Sequence, residues 1–147
     1  MSPAKAQAGF TLLEVMAVML IIALVSALAV TTSRGTGRAQ LHAVSLQTAA
    51  LLRRERLGAI LTASSRQVSL DGRERLLLGD SGGQVRIPTD VVVDVLGSDV
   101  ARSGRLALVR FQPDGASTGV VLRLSREQAT YEVSVNWYTG SVVVRQL

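Results

Sequence analysis

One histidine, no cysteine and a single carboxylate inside an apolar run limit the chemistry open to this chain. Glu14 sits four residues beyond Phe10, in a stretch that continues to Val30 without another charge. A carboxylate near the entrance of a membrane-length span is costly unless it finds a partner, so the chemistry it invites is ion pairing. His42 would have to act as a base alone, and no G-x-S-x-G elbow accompanies it. One imidazole without a thiolate cannot close a zinc site. Asp71, Asp80, Asp90, Asp94 and Asp99 lie on or near expected loops, but they lack the alternating Asp/Asn and Gly spacing of an EF-hand. They read as turn residues. The expectation is no catalytic residue, no metal site and no cofactor.

Glu14 must be held by the apolar run itself. Phe10 to Val30 would span about 31 Å as a helix, which matches a hydrocarbon core of about 30 Å. A polar leader, Met1 to Gly9, ends in glycine directly before the run. The junction suggests a chain that is cut at Gly9 and assembled through its new amino terminus. A secretory signal cut near Ala27-Leu28-Ala29 is the competing reading. The run exceeds the usual signal-peptide core, and Glu14 has no use in one. Basic residues flank both ends, with Lys5 before and Arg34 and Arg38 after, so charge alone gives little orientation.

Thr31 to Gly37 is rich in small residues, and Gly35 and Gly37 are expected to loosen a continuing helix. From Arg38 to Leu61 the pattern is helical and apolar on two sides. Leu41, Val44, Leu51 and Leu52 form one face, and Leu46, Ala50, Leu57, Ile60 and Leu61 the other. Such a helix either packs between its own domain and a neighbouring subunit or lies deep inside one small domain. Beyond Ser64 short β-branched runs take over, at 67–70, 75–78, 84–87, 91–96, 106–111, 120–124, 131–135 and 142–144, separated by glycine turns. They imply an antiparallel head, built as one sheet or two packed ones, and an α+β fold. Phe111-Gln112-Pro113-Asp114-Gly115, followed by Gly119, reads as a tight turn anchored by Phe111.

The formal charge of +5 falls to +4 if Lys5 leaves with the leader, and the other basic residues are dispersed arginines. The one cluster, Arg53-Arg54-Glu55-Arg56, reads as a solvated, salt-bridging surface.

Gly9 followed by Phe10-Thr11-Leu12-Leu13-Glu14-Val15 resembles the class III signal of type IV pilins and type II secretion pseudopilins. Phe111-x-Pro-Asp-Gly with Thr118-Gly119 resembles the late hairpin of H-type minor pseudopilins and FimT-like minor pilins. The resemblance implies a pilin-like fold: a leader at 1–9, a transmembrane helix at 10–32, a continuing helix packed on the head at 33–62, and a periplasmic β-rich head at 63–147. It implies cleavage by prepilin peptidase at Gly9, N-methylation of Phe10, and pairing of Glu14 with the Phe10 amine of an adjacent subunit. Partners would be major and minor pseudopilins, met through the N-terminal helix, with the inner-membrane secretion platform and the inner membrane itself. The expected role is a structural subunit at or near the tip of the pseudopilus. One alternative is a FimT-like minor pilin that takes up DNA. That branch carries a C-terminal Gly-Arg-x-Arg element, whereas this chain has Gly140-Ser141-Val142-Val143-Val144-Arg145, so nucleic acid is not expected. Another is an uncut membrane anchor bearing a ligand-binding β domain.

Overall fold

The protein is represented by a computed structural model that describes residues 11–32, 37–97 and 105–147. Gly9, Phe10, Gly35 and Asp99, and the expected junction of the two helical segments at 33–36, lie outside the described residues. Two compact units emerge, Met1–Gly35 and Thr36–Leu147.

In the first unit, α1 runs from Leu12 to Thr32 and carries Glu14 as its one charged residue. Leu, Ile, Val and Met side chains from Leu12 to Val25 are exposed on every side of it. Within the described residues, whose side chains on α1 end at Ala27, no helix is long and apolar enough to cross a membrane.

The second unit is built around α2 (Gly37–Thr62). Eight strands follow: β1 (Arg66–Asp71), β2 (Leu76–Gly79), β3 (Gln84–Arg86), β4 (Val92–Leu96), β5 (Arg105–Phe111), β6 (Val120–Arg126), β7 (Ala129–Val135) and β8 (Val142–Gln146). They form two antiparallel four-stranded sheets, ordered β3-β2-β1-β5 and β4-β6-β7-β8. Both sheets pack on α2, which supplies Leu41, Val44, Leu51 and Leu52 to a shared core. Sheet residues close it from each side: Val68, Leu77, Val109 and Phe111 from one, Leu122, Leu124, Tyr131 and Val133 from the other. Alternation explains the choice of face. Along β7, Tyr131, Val133 and Val135 are buried while Glu132 and Ser134 turn outward.

The second apolar face of α2 is not buried by the head. Leu46, Ala50, Leu57, Ile60 and Leu61 are all exposed, which overturns the deep-burial alternative. The arginine cluster also departs from expectation, because Glu55 within it is fully buried.

Candidate functional site

On α1 the geometry around Glu14 begins with Thr11. The Glu14 N–H donates to the Thr11 hydroxyl at 3.2 Å and to the Thr11 carbonyl at 3.0 Å. Thr11 is therefore the N-cap and Glu14 the third helical residue, the Thr-x-x-Glu arrangement of a capping box. The helix N-terminus also favours a negative side chain in its first turn. Sequence reasoning missed this cap, although its spacing was legible. The capping position accepts glutamate or glutamine, so the cap itself does not require the charge, to which the helix dipole adds only a modest preference. The Glu14 carboxylate is exposed, on a helix whose surroundings are otherwise apolar.

In the head, the structure gathers the late-turn residues at one corner. Phe111 is fully buried, and its backbone bridges Ser117 across the hairpin. Pro113 and Asp114 form the tip; the Gly115 N–H donates to Gln112 O at 2.9 Å, and Asp114 Oδ1 accepts the Ala116 N–H at 2.9 Å. Gly115 and Gly119 have φ of +88° and +73°, conformations glycine adopts without strain. A Cβ at Gly119 would lie 3.1 Å from that of Trp137, so the hairpin is fitted against the β7–β8 turn. The Ser117 N–H donates to the Trp137 carbonyl at 2.8 Å.

Two arginines join α2 to this corner. Arg53 Nη2 donates to Val142 O at 3.0 Å, and Arg56 Nε to Gly115 O at 3.3 Å. Glu55, between them in sequence, points the other way. Its carboxylate accepts the Ser81 hydroxyl at 2.8 Å and the Ser81 N–H at 3.2 Å, with Arg66 Nη1 at 3.8 Å. Glu55 thus fastens α2 to the β2–β3 turn, while Arg53 fastens it to β8 of the opposite sheet and Arg56 to the hairpin between β5 and β6.

The remaining candidates occupy structural places. His42 is exposed on α2, and its ring lies 5.2 Å from that of Tyr131. Asp80 accepts the Gln67 N–H at 2.7 Å, Asp90 pairs with Arg126 at 2.5 Å, and Asp94 sits on β4. At Asp71 the Glu74 N–H, the Arg73 N–H and the Arg105 guanidinium outweigh burial and hold the carboxyl below the usual carboxylate range. Its folded pKa is lowered, so this stabilisation is present at neutral pH and fades as pH falls through that value. Acid titration of the head should therefore show a stability decline below about pH 4, and Asp71→Asn should flatten it. An unchanged slope in the variant would dismiss the contribution.

Comparison with known proteins gives three findings. Residues 4–30 match the prokaryotic N-terminal methylation motif. The chain is 31% identical over 136 residues to type II secretion system protein H of Xanthomonas campestris pv. campestris, covering 91% of this chain and 80% of that protein. Its fold is similar to the minor pseudopilin EpsH from the type 2 secretion system of Vibrio cholerae. That match has a TM-score of 0.51 at 16% identity and covers 70% of this chain and 92% of the other.

Proposed function

The chain belongs to the type II secretion system protein H family, a minor pseudopilin, and from that premise we propose how it is processed and assembled. Prepilin peptidase cuts after Gly9, Phe10 becomes the N-methylated first residue, and Glu14 pairs with the Phe10 amine of a neighbouring subunit. The apolar segment at 10–32 anchors the chain as a single pass in the inner membrane, with the head at 63–147 in the periplasm. The protein acts as a structural subunit at or near the pseudopilus tip.

Glu14 carries this reading. It is the one charge on α1, it stands in the first turn, and its local cap does not require a carboxylate. In a low-dielectric setting an ammonium and a carboxylate each need the other, and that requirement selects the register of assembly.

The exposed face of α2 supports packing on neighbouring pseudopilins. Ala39, Ala43, Leu46, Ala50, Arg53, Leu57 and Ile60 are all exposed, at alternating spacings of four and three residues. That is the seam a second helix fills, and its alanines permit close approach. Its partners are the other minor and major pseudopilins. DNA uptake draws no support from the head, where Arg145 stands opposite Glu132 in the β7–β8 register.

Glu14→Gln separates capping from pairing. Glutamine keeps the cap, so insertion and cleavage should persist. Incorporation into the pseudopilus should fall at least about tenfold, because the neighbour's amine loses its counter-charge. Wild-type incorporation, measured by recovery of the variant in sheared pseudopili, would refute the pairing.

A further inference from the structure

The outer face of the sheet β4-β6-β7-β8 is laid out in rows. Val93, Val95, Leu122, Leu124, Val133 and Val144 turn inward to the core, so their neighbours along each strand turn outward. The middle outward row runs Asp94, Arg123, Glu132, Arg145, one residue from each strand in pairing order. Its charges alternate, and the central two are paired, with Arg123 Nε donating to Glu132 Oε2 at 3.2 Å. Asp94 and Arg145, at the ends, enter no ion pair among the described residues. The flanking rows are apolar at their ends. Leu96, Val121, Ser134 and Val143 form one. Val92, Ser125, Thr130 and Leu147 form the other, since the Leu147 N–H donates to Thr130 O at 3.0 Å. Outside α2 and the β7–β8 turn, the large apolar side chains exposed among the described residues of the second unit are Val92, Leu96, Val143 and Leu147. All four stand at the corners of this one face.

We propose that this face docks a second copy of the same chain, packed sheet on sheet about a two-fold axis parallel to the strands. That axis reverses the strand order, laying β4 over the partner's β8 and β6 over the partner's β7. Asp94 then meets the partner's Arg145, and Arg123 meets the partner's Glu132. At the corners Leu96 meets the partner's Val143, and Val92 the partner's Leu147. Every contact occurs twice. Charge order selects both occupant and orientation. A two-fold axis across the strands would set Asp94 on Asp94 and Arg123 on Arg123, and like charges in contact cost several kcal/mol. The row carries two positive and two negative residues, so it holds no net attraction for an anionic bilayer or a uniformly charged partner. The face is about 14 Å across, smaller than a standard interface, so the pair is weak and salt-sensitive. It uses neither Glu14 nor the exposed stripe of α2, which lies behind the sheet, and it stands or falls apart from the processing and assembly at Gly9.

The chain has no cysteine, so Gly72→Cys, where a Cβ meets nothing within 4 Å, can carry a donor or an acceptor dye at one position. Full-length donor and acceptor chains mixed in detergent should show energy transfer that rises with concentration and falls with salt. Asp94→Arg alone or Arg145→Asp alone should weaken the association about 30-fold, because each sets like charges at both ends of the row. A mixture of the two variants should regain wild-type transfer, since every arginine at an end then faces an aspartate across the axis. Glu14→Gln should leave the transfer unchanged. Wild-type transfer by either single variant, no recovery in the mixture, loss of transfer in Glu14→Gln, or a donor response only to another secretion subunit or to anionic phospholipid vesicles would overturn the two-fold pair.

Discussion

Gly140→Val is expected to destabilise the head by about 3–5 kcal/mol, combining overpacking with a β-branched residue at positive φ. Gly140 has φ of +62°, and a Cβ there would lie well inside van der Waals contact distance of the Gly115 carbonyl oxygen, with Arg56 Nε 2.9 Å away. Backbone cannot swing aside as a side chain can, so either the β7–β8 turn or the 112–117 hairpin must move. Gly82→Val is the control: Gly82 has φ of +80°, and a Cβ there would meet nothing within 4 Å, so only the conformational term remains. Urea unfolding of the two variants should separate by about 1–3 kcal/mol, the steric share. Equal midpoints would show that the Gly115 and Gly140 backbones do not meet as described. Because Gly119 packs against Trp137 at the same joint, its loss would displace the β7–β8 turn with the fold.

The second large effect is at Glu55. Glu55→Ala should cost about 3–5 kcal/mol, since it strands the Ser81 N–H, removes the acceptor of the Ser81 hydroxyl and leaves Arg66 with that hydroxyl but no counter-charge beside a cavity. The fully buried carboxylate makes the loss severe; Arg66, whose side chain keeps 22% of its exposure, places the outcome toward the lower figure. Glu55→Gln keeps the shape and one acceptor, so a loss of about 1–2 kcal/mol is expected. Thermal denaturation of the full chain in detergent measures both. A neutral Glu55→Ala would mean that the Glu55 clamp adds nothing to the apolar contacts and arginine bonds that hold α2. Glu55 sits between Arg54 and Arg56 on the helix whose outer face is proposed to meet neighbouring subunits, so its clamp also fixes how that face is presented.

Much of this architecture was readable from residue order. Periodicity placed the buried face of α2 through Leu41, Val44, Leu51 and Leu52, and alternation placed β7 through Tyr131, Val133 and Val135. The matching methylation motif covers the junction from which processing was expected. What escaped were features that depend on distant partners. Glu55 looked solvated because its neighbours in sequence are arginines; its acceptor role is created by Arg66 and Ser81, brought in from β1 and the β2–β3 turn. The β6–β7 hairpin turns at Glu127, with φ of +54°, where no glycine or asparagine announced it. There the pairing of Arg126 with Ala129 imposes the turn on an unfavoured residue. The contact between Gly115 and Gly140 joins positions far apart in sequence, and no local pattern encodes it.

The central claim is that the chain is cut at Gly9 and assembles through the amine this exposes. Its most direct test is the mass of the amino-terminal peptide recovered from cells that also express a prepilin peptidase. The expected peptide begins at Phe10 and carries one added methyl group. A mature chain that still begins at Met1, or one that begins after Ala29, would contradict the claim and leave Glu14 without its partner.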